Sequence, residues 1–312
     1  MMKRKPEMLS KKTFFALASS MVLAAAGSAQ AMLTDGLEQS WDAAQAGGTA
    51  GVVANLVPGG PSIQLGSGAS NDGTSINLSG TDSWSPFSSP VNVPDSAITI
   101  ELWISGLASD DPDTGTWPVL IGNTTNKYRD LINSGAASNE DSFVFQRGRH
   151  ADYQVYFYYA DAEVCCSAGG RDFMSHMGGT YDGELHQLVA ILGEDGTGEI
   201  TDFRTYIDGT LITSAITGQF SSGDRLHAGT GYTMDHVTDL MGIGGGWDHA
   251  QGIVKDAQSS GSIHALNIWN RALSAAEVTE SLNDGANGYV VPEPASLALL
   301  TLGGLTVLRR RR

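Results

Sequence analysis

DFRTYIDGTLITSA, residues 202–215, decides the fold. β-Branched and aromatic residues flank Asp208-Gly209 on both sides. A two-residue type I′ turn needs positive φ at both central positions, which Asp and Gly tolerate best. The stretch therefore predicts a β-hairpin with Ile207 opposite Thr210, Tyr206 opposite Leu211 and Thr205 opposite Ile212. Phe203, Ile207 and Ile212 then share one face, and Tyr206 and Leu211 the other. Neither face is purely polar, so the hairpin is expected inside a two-layer structure.

Working outward, Ser96–Ser105 (SAITIELWIS) alternates Ile98, Ile100, Leu102 and Ile104 with Thr99, Glu101 and Trp103, the period of a strand. Trp117–Gly122, Asp141–Arg147, Asp152–Ala160, Glu184–Leu192, a short start at Met241–Gly244 and Ser262–Trp269 read as further strands. Gly51–Val57 and Ser62–Leu65 are weaker ones between glycine turns. One helix is signalled. Ser274-Ala275-Ala276-Glu277 is a capping box, good helix formers continue to Leu282, and Gly285 can end the helix in the left-handed region. With 39 glycines and 41% hydrophobic residues in 312, the composition fits many short strands around a large core.

The net charge is −16, yet the first 31 residues carry +4 and Arg309–Arg312 another +4, so residues 32–308 hold −24. Such a surface repels nucleic acid and anionic lipid, and no nucleic-acid partner is expected. The N-terminus has the parts of a secretory signal: a basic region from Lys3 to Lys12, an apolar run from Phe14 to Ala26, and Ala29-Gln30-Ala31 before a cleavage point. Residues 1–31 are therefore expected to be a signal peptide removed by signal peptidase. At the other end, Pro292-Glu293-Pro294 precedes fourteen mostly apolar residues, Ala295–Leu308, and then Arg309, Arg310, Arg311 and Arg312. As a helix, fourteen residues span about 21 Å, short of a hydrocarbon core of about 30 Å. That is a marginal transmembrane span, with the arginines held on the cytoplasmic side.

The order of these C-terminal parts resembles the PEP-CTERM sorting signal. The resemblance implies an exosortase partner, an inner-membrane intermediate, and delivery to the surface or extracellular matrix of a Gram-negative-type bacterium. It makes Pro292, Glu293, Pro294 and the four arginines sorting residues. A simple C-terminal anchor is the alternative.

The body, residues 33–288, reads as one all-β domain, followed by a sorting segment at 289–312. SAITIELWI, ELHQLVAIL, FRTYIDGTLITSA, LMGIGGG and GSIHALNIWNRALSAAEVTESLNDG occur in the order of the LamG-like jelly-roll family. The resemblance covers about residues 75–285. It implies a concanavalin A-like two-sheet antiparallel jelly-roll sandwich with one short C-terminal helix, to which the PEP-CTERM resemblance adds a separate apolar sorting helix. Two departures weaken any carried-over ligand assignment. A Trp commonly stands where Leu185 or His186 is here, and an Asp is often found where Ile263 follows Gly261-Ser262.

Some relatives of this sandwich hydrolyse glycosides, which needs two acids facing the cleaved bond about 5–10 Å apart. Their strand motif, Glu-x-Asp-x-(x)-Glu, is absent. Glu194, Asp195 and Glu199 fall in a glycine-rich loop, and Glu101 is alone on its strand. A Gly-x-Ser-x-Gly elbow, a P-loop and HExxH are absent too. The expectation is a protein that is not an enzyme, with a glycoside hydrolase as the alternative.

Calcium is the expected cofactor, because Asp110, Asp111 and Asp113 in one loop and Asp72 in another offer hard oxygen ligands. A solvated acidic loop is the competing reading. The seven histidines show no zinc spacing. Cys165-Cys166, the only two cysteines, can form a vicinal disulfide in an oxidising compartment; free thiols or cross-links between chains are the alternatives. Among the aromatics, Trp84, Trp103, Trp117, Trp247, Trp269 and Tyr153–Tyr159 can include a sugar-stacking platform. Trp103 and Trp269 sit in strong strands and read as core, leaving Trp247, Tyr153 and Tyr158 as the ligand-binding candidates. The functional expectation is carbohydrate binding at the cell surface or in the matrix, with extracellular polysaccharide or another matrix component as partner. A structural matrix protein without a specific ligand is the alternative.

Overall fold

The computed structural model describes residues 33–45, 51–80, 83–89, 91, 97–106, 119–122, 142–147, 154–160, 173–178, 182–194, 200–214, 241–244 and 260–286. The chain divides into a short unit, Met1–Gly36, described only at residues 33–36, and a unit from Leu37 onward. In the second unit the strands run β1 (Leu37–Asp42), β2 (Val52–Val53), β3 (Ile63–Gln64), β4 (Ala69–Asn71), β5 (Ile76–Ser79), β6 (Ser85–Pro86), β7 (Ala97–Ser105) and β8 (Val119–Gly122). They continue as β9 (Ser142–Arg147), β10 (Gln154–Ala160), β11 (Phe173–Gly178), β12 (His186–Glu194), β13 (Ile200–Ile207), β14 (Thr210–Ser214), β15 (Gly242–Ile243) and β16 (Ser260–Trp269). Helix α1 (Ala275–Asp284) closes the described chain.

Two antiparallel sheets form a sandwich of the expected class. The larger has the order β14-β13-β12-β7-β16-β5-β4, with β1 also paired to β16; the six-stranded sheet runs β11-β10-β9-β8-β15-β6. Strand β7 sits at the centre because its alternation serves two layers. Ile98, Ile100, Leu102 and Ile104 enter the core, where they meet Leu188, Ala190 and Leu192 of β12 and Ile121, Phe145 and Ile243 of the second sheet. Each such Ile, Leu or Phe side chain contributes about 1.5–3 kcal/mol when fully buried. Trp41 stacks on Phe87 with ring centroids 4.5 Å apart and donates its Nε1 hydrogen to the carbonyl of Pro61 at 2.8 Å. Between the sheets, the hydroxyls of Ser175 and Thr205 meet at 2.6 Å, so neither is left unsatisfied in the core.

The hairpin forms with Asp208 at φ 48° and Gly209 at φ 69°, the signs a type I′ turn needs. Its register differs from expectation beyond the second pair. Tyr206 faces Leu211, but a bulge pairs Thr205 with Thr213 and leaves Ile212 as the extra residue. Ile212 is consequently 42% exposed and does not share the core face of Phe203 and Ile207. The inner face of the hairpin is core, as expected. On the outer side, a β-carbon at Gly209 would lie 3.0 Å from Leu282 of α1, so the turn abuts the helix.

Helix α1 begins at the expected capping box. Ser274 Oγ accepts from the Glu277 amide at 3.3 Å, and Glu277 Oε2 accepts from the Ser274 amide at 2.7 Å. Arg271 Nη2 lies 2.7 Å from Glu277 Oε1. Burial works against the Glu277 charge, but Arg271 and Ser274 outweigh it and hold the carboxyl below its ordinary range. Gly285 ends the helix with φ 77°; its ψ of 177° is extended rather than left-handed helical, and its amide donates to the carbonyls of Ser281 and Leu282. Trp103 and Trp269 are buried as expected, but they belong to the outer face of the larger sheet rather than to the core between the sheets.

Candidate functional site

The outer face of the six-stranded sheet carries the strongest binding feature among the described residues. In β6 and its flanks, Ser83, Ser85 and Phe87 are buried while Trp84 and Pro86 are partly exposed, so the strand turns Trp84 outward by simple alternation. The indole lies on the backbone of β15. A β-carbon at Gly242 would sit 2.3 Å from Trp84 Cη2, so only glycine admits the ring there.

The register extends this face across the sheet. Gly242 pairs with Pro86 on one side and Gly122 on the other; Gly122 pairs with Val144, Val144 with Tyr158, and Tyr158 with Met174. The neighbouring row, Ser85, Ile243, Ile121 and Phe145, is buried on the core side. Gly242 and Gly122 therefore belong to the opposite face, the one that carries Trp84, and the backbone register continues this row through positions 144 and 158. Three strand spacings of about 4.8 Å separate Gly242 from Tyr158, roughly 14 Å. Of the three aromatic candidates from sequence, Tyr158 is placed in this row, whereas Tyr153 and Trp247 lie outside the described residues. Trp84 was one name among several in the sequence. Its distinguishing signal, a Trp preceding Ser-Pro and matched to a distant glycine, becomes visible only with the strand pairing.

The expected calcium ligands divide. Asp110, Asp111 and Asp113 lie outside the described residues. Asp72 is already committed within its own loop. Its Oδ1 accepts from the Thr74 hydroxyl at 2.7 Å and from the amides of Thr74 and Ser75, both at 2.8 Å; its Oδ2 accepts from Asn77 Nδ2 at 2.9 Å. These bonds, led by the Thr74 hydroxyl, hold its carboxyl well below the ordinary carboxylate range. No group of three or more metal-ligating side chains is found among the described residues. Cys165, Cys166, Asp195, Glu199, the sorting residues Pro292, Glu293, Pro294, Arg309, Arg310, Arg311 and Arg312, and the expected apolar helix between them lie outside the described residues.

Glu101 is a structural acid. It is 1% exposed, beneath α1. Its Oε1 accepts from Gln187 Nε2 at 2.6 Å and from the Ser281 hydroxyl, and its Oε2 accepts from Asn267 Nδ2 at 2.7 Å. Asn267 Oδ1 in turn accepts from the Ser40 hydroxyl at 2.7 Å. Burial pushes the Glu101 carboxyl up, against the opposing pull of the Ser281, Asn267 and Gln187 bonds. Gln187 Oε1, beside Trp103 across β7 and β12, has no hydrogen-bond partner among the described residues. No substrate reaches this carboxylate without removal of the helix.

Residues 290–312 match the PEP-CTERM protein-sorting motif. No curated protein matches the chain in sequence. In three dimensions it is similar to a Trypanosoma rangeli sialidase solved with 2,3-difluorosialic acid as a covalent intermediate, with TM-score 0.51 and 11% identity, over 80% of this chain and 33% of the sialidase. It is similar to the binding domain of paraclostridial mosquitocidal protein 1, with TM-score 0.51 and 16% identity, over 81% and 53%. The botulinum neurotoxin serotype D ligand-binding domain, solved with N-acetylneuraminic acid, gives TM-score 0.50 and 11% identity over 82% and 53%. The chain thus spans about a third of the sialidase and about half of each toxin domain, and at these identities the likeness shows the fold alone. The chain thus carries a PEP-CTERM protein-sorting motif, which marks an exported surface protein, together with a two-sheet antiparallel β-sandwich.

Proposed function

We propose that the sandwich is a LamG-like module that binds polysaccharide at the cell surface or in the extracellular matrix, through the outer face of the six-stranded sheet. The observation that carries this reading is the partly exposed Trp84 ring seated on Gly242, because a flat, rigid indole face is what a pyranose ring stacks on. The sialic-acid-bound toxin domain and the sialidase share the fold at low identity, which supports carbohydrate as a ligand class without specifying a sugar. The −24 charge on residues 32–308 argues for a neutral or amino-sugar glycan, since an anionic one approaches against the protein's own field. Exosortase and signal peptidase act during export and are the other partners of this reading.

A catalytic role in glycoside cleavage is disfavoured, since the one acid of the central strand, Glu101, is sealed under α1. We assign any structural calcium to Asp110, Asp111 and Asp113, leaving Asp72 to its loop. Binding of the full chain to a glycan array, with Trp84→Ala in parallel, tests the reading. Glycan-specific signal lost on substitution is expected, and uniform silence of the wild type favours a structural matrix protein.

A further inference from the structure

Ser105 and His264 are 159 residues apart in sequence, yet Ser105 Oγ lies 2.7 Å from His264 Nε2. The bulge in β16 brings them together. Ile263 pairs with Ile104 and Ala265 with Trp103, so His264 is the extra residue between them, and a bulge of this kind re-aims a side chain. His264 Nδ1 faces the carbonyl of Thr74 at 3.1 Å. A carbonyl only accepts, so Nδ1 carries the hydrogen; in the neutral ring Nε2 is then the acceptor, and the Ser105 hydroxyl donates to it. The tautomer is the one a general base for a serine hydroxyl requires.

The β4–β5 loop supplies the remaining charge. Asp72, kept ionised by the donors of its own loop, acts on His264 through its field, as does Asp42. Burial is the larger influence and holds His264 below its ordinary range, so the ring is neutral and able to take a proton at pH 7. Both Ser105 and His264 remain partly exposed. Gly106, the next residue, has φ 69°, and its amide donates to the carbonyl of Gly183 at 3.4 Å.

We propose that Ser105 and His264 form a nucleophilic site for uncharged carboxylic esters, separate from the Trp84 face. The Ser105 oxygen bonds to the ester carbon as its proton passes to His264 Nε2. The carbon–alkoxy bond then breaks, and His264 returns that proton to the departing alcohol. Water, deprotonated by His264, attacks the acyl-serine; the acid departs and Ser105 regains its proton. Asp72 is a positioning residue, through the loop that carries the Thr74 carbonyl and through its charge. The local negative charge excludes carboxylate-bearing esters.

The test is covalent labelling of the folded full chain with a fluorophosphonate, in which the Ser105 oxygen displaces fluoride from phosphorus, followed by peptide mapping. The expected result is an adduct on Ser105 that is absent from Ser105→Ala, preserved in Ser262→Ala, and formed about 100-fold more slowly in His264→Gln. Thermal melting checks that each variant is folded. Absence of a Ser105 adduct in the wild type, under conditions that label a serine protease fully, overturns the proposal. So does equal labelling of a folded His264→Gln, which would leave the pair as a strap between β7 and β16.

Discussion

His186 Nδ1 lies 2.7 Å from Asp208 Oδ2, and the other ring nitrogen, Nε2, lies 2.9 Å from Asp182 Oδ1. Both nitrogens face acceptors, so both must donate, and the ring is best satisfied as the cation. Asp208 also accepts from the Gln187 amide at 2.9 Å through its second oxygen. The turn residue is thus both a carrier of positive φ and the carboxylate that fastens the hairpin to the start of β12.

A pH dependence follows. Burial opposes the charge on His186, but Asp208 and Asp182 outweigh it and raise the imidazole above 6.5. The folded state binds the proton more tightly, so this stabilisation is complete below pH 6.5 and is lost as the pH rises through the raised folded value. Thermal melts from pH 6 to 9 should show a decline in the wild type that His186→Gln lacks. Parallel curves for the two proteins would remove the clamp from the account.

Glu101 gives a second, independent pH effect. Its folded pKa lies above the ordinary 4.5, so the folded state loses stability as the pH rises from about 4.5 through the raised value. Glu101→Gln should abolish that decline. Glu101→Ala removes the acceptor from Gln187, Asn267 and Ser281 together and should cost about 3 kcal/mol or more, read by urea unfolding. A cost below about 1 kcal/mol would mean that the network does not hold α1 to the sheet.

Calcium binding is decided by comparing two substitutions. Millimolar Ca²⁺ against EGTA should raise the melting temperature of the wild type and of Asp72→Asn by the same amount. The shift should vanish when Asp110, Asp111 and Asp113 are all changed to Asn. Loss of the shift in Asp72→Asn alone would reverse the assignment, and no shift in the wild type would end it.

Much of the fold was legible because it rests on local rules. The alternation of β7, the Asp208-Gly209 turn and the Ser274–Glu277 capping box each act within a few residues, and each formed where expected. What was not legible depends on pairing at long range. The bulge that exposes Ile212 arises from the match between β13 and β14, which the composition of either strand does not encode. His186 stood out in sequence only as a departure from the family's usual Trp, since its two carboxylates come from a loop and a turn. Trp84 and Gly242 are 158 positions apart, and nothing in either neighbourhood announces the other. The same distance problem hid Ser105 from His264, while Asp72, chosen for its charge, proved to be held by its own loop.

Gly242→Ala provides an indirect check on the candidate face. A methyl group there collides with the indole, so Trp84 must move, at about 1–3 kcal/mol. Melting temperature and glycan binding should fall together in this variant. Retained binding with lowered stability would separate the ring from the ligand.

The most direct measurement is titration of the wild-type full chain and Trp84→Ala with the glycan that gives the strongest array signal, followed by calorimetry. Saturable binding by the wild type is expected, weakened about tenfold in Trp84→Ala, since stacking on one aromatic ring contributes up to about 1.5 kcal/mol. The melting temperature should change little, because the ring is already partly exposed. Equal affinity of the two proteins, with both folded, would contradict the role given to Trp84.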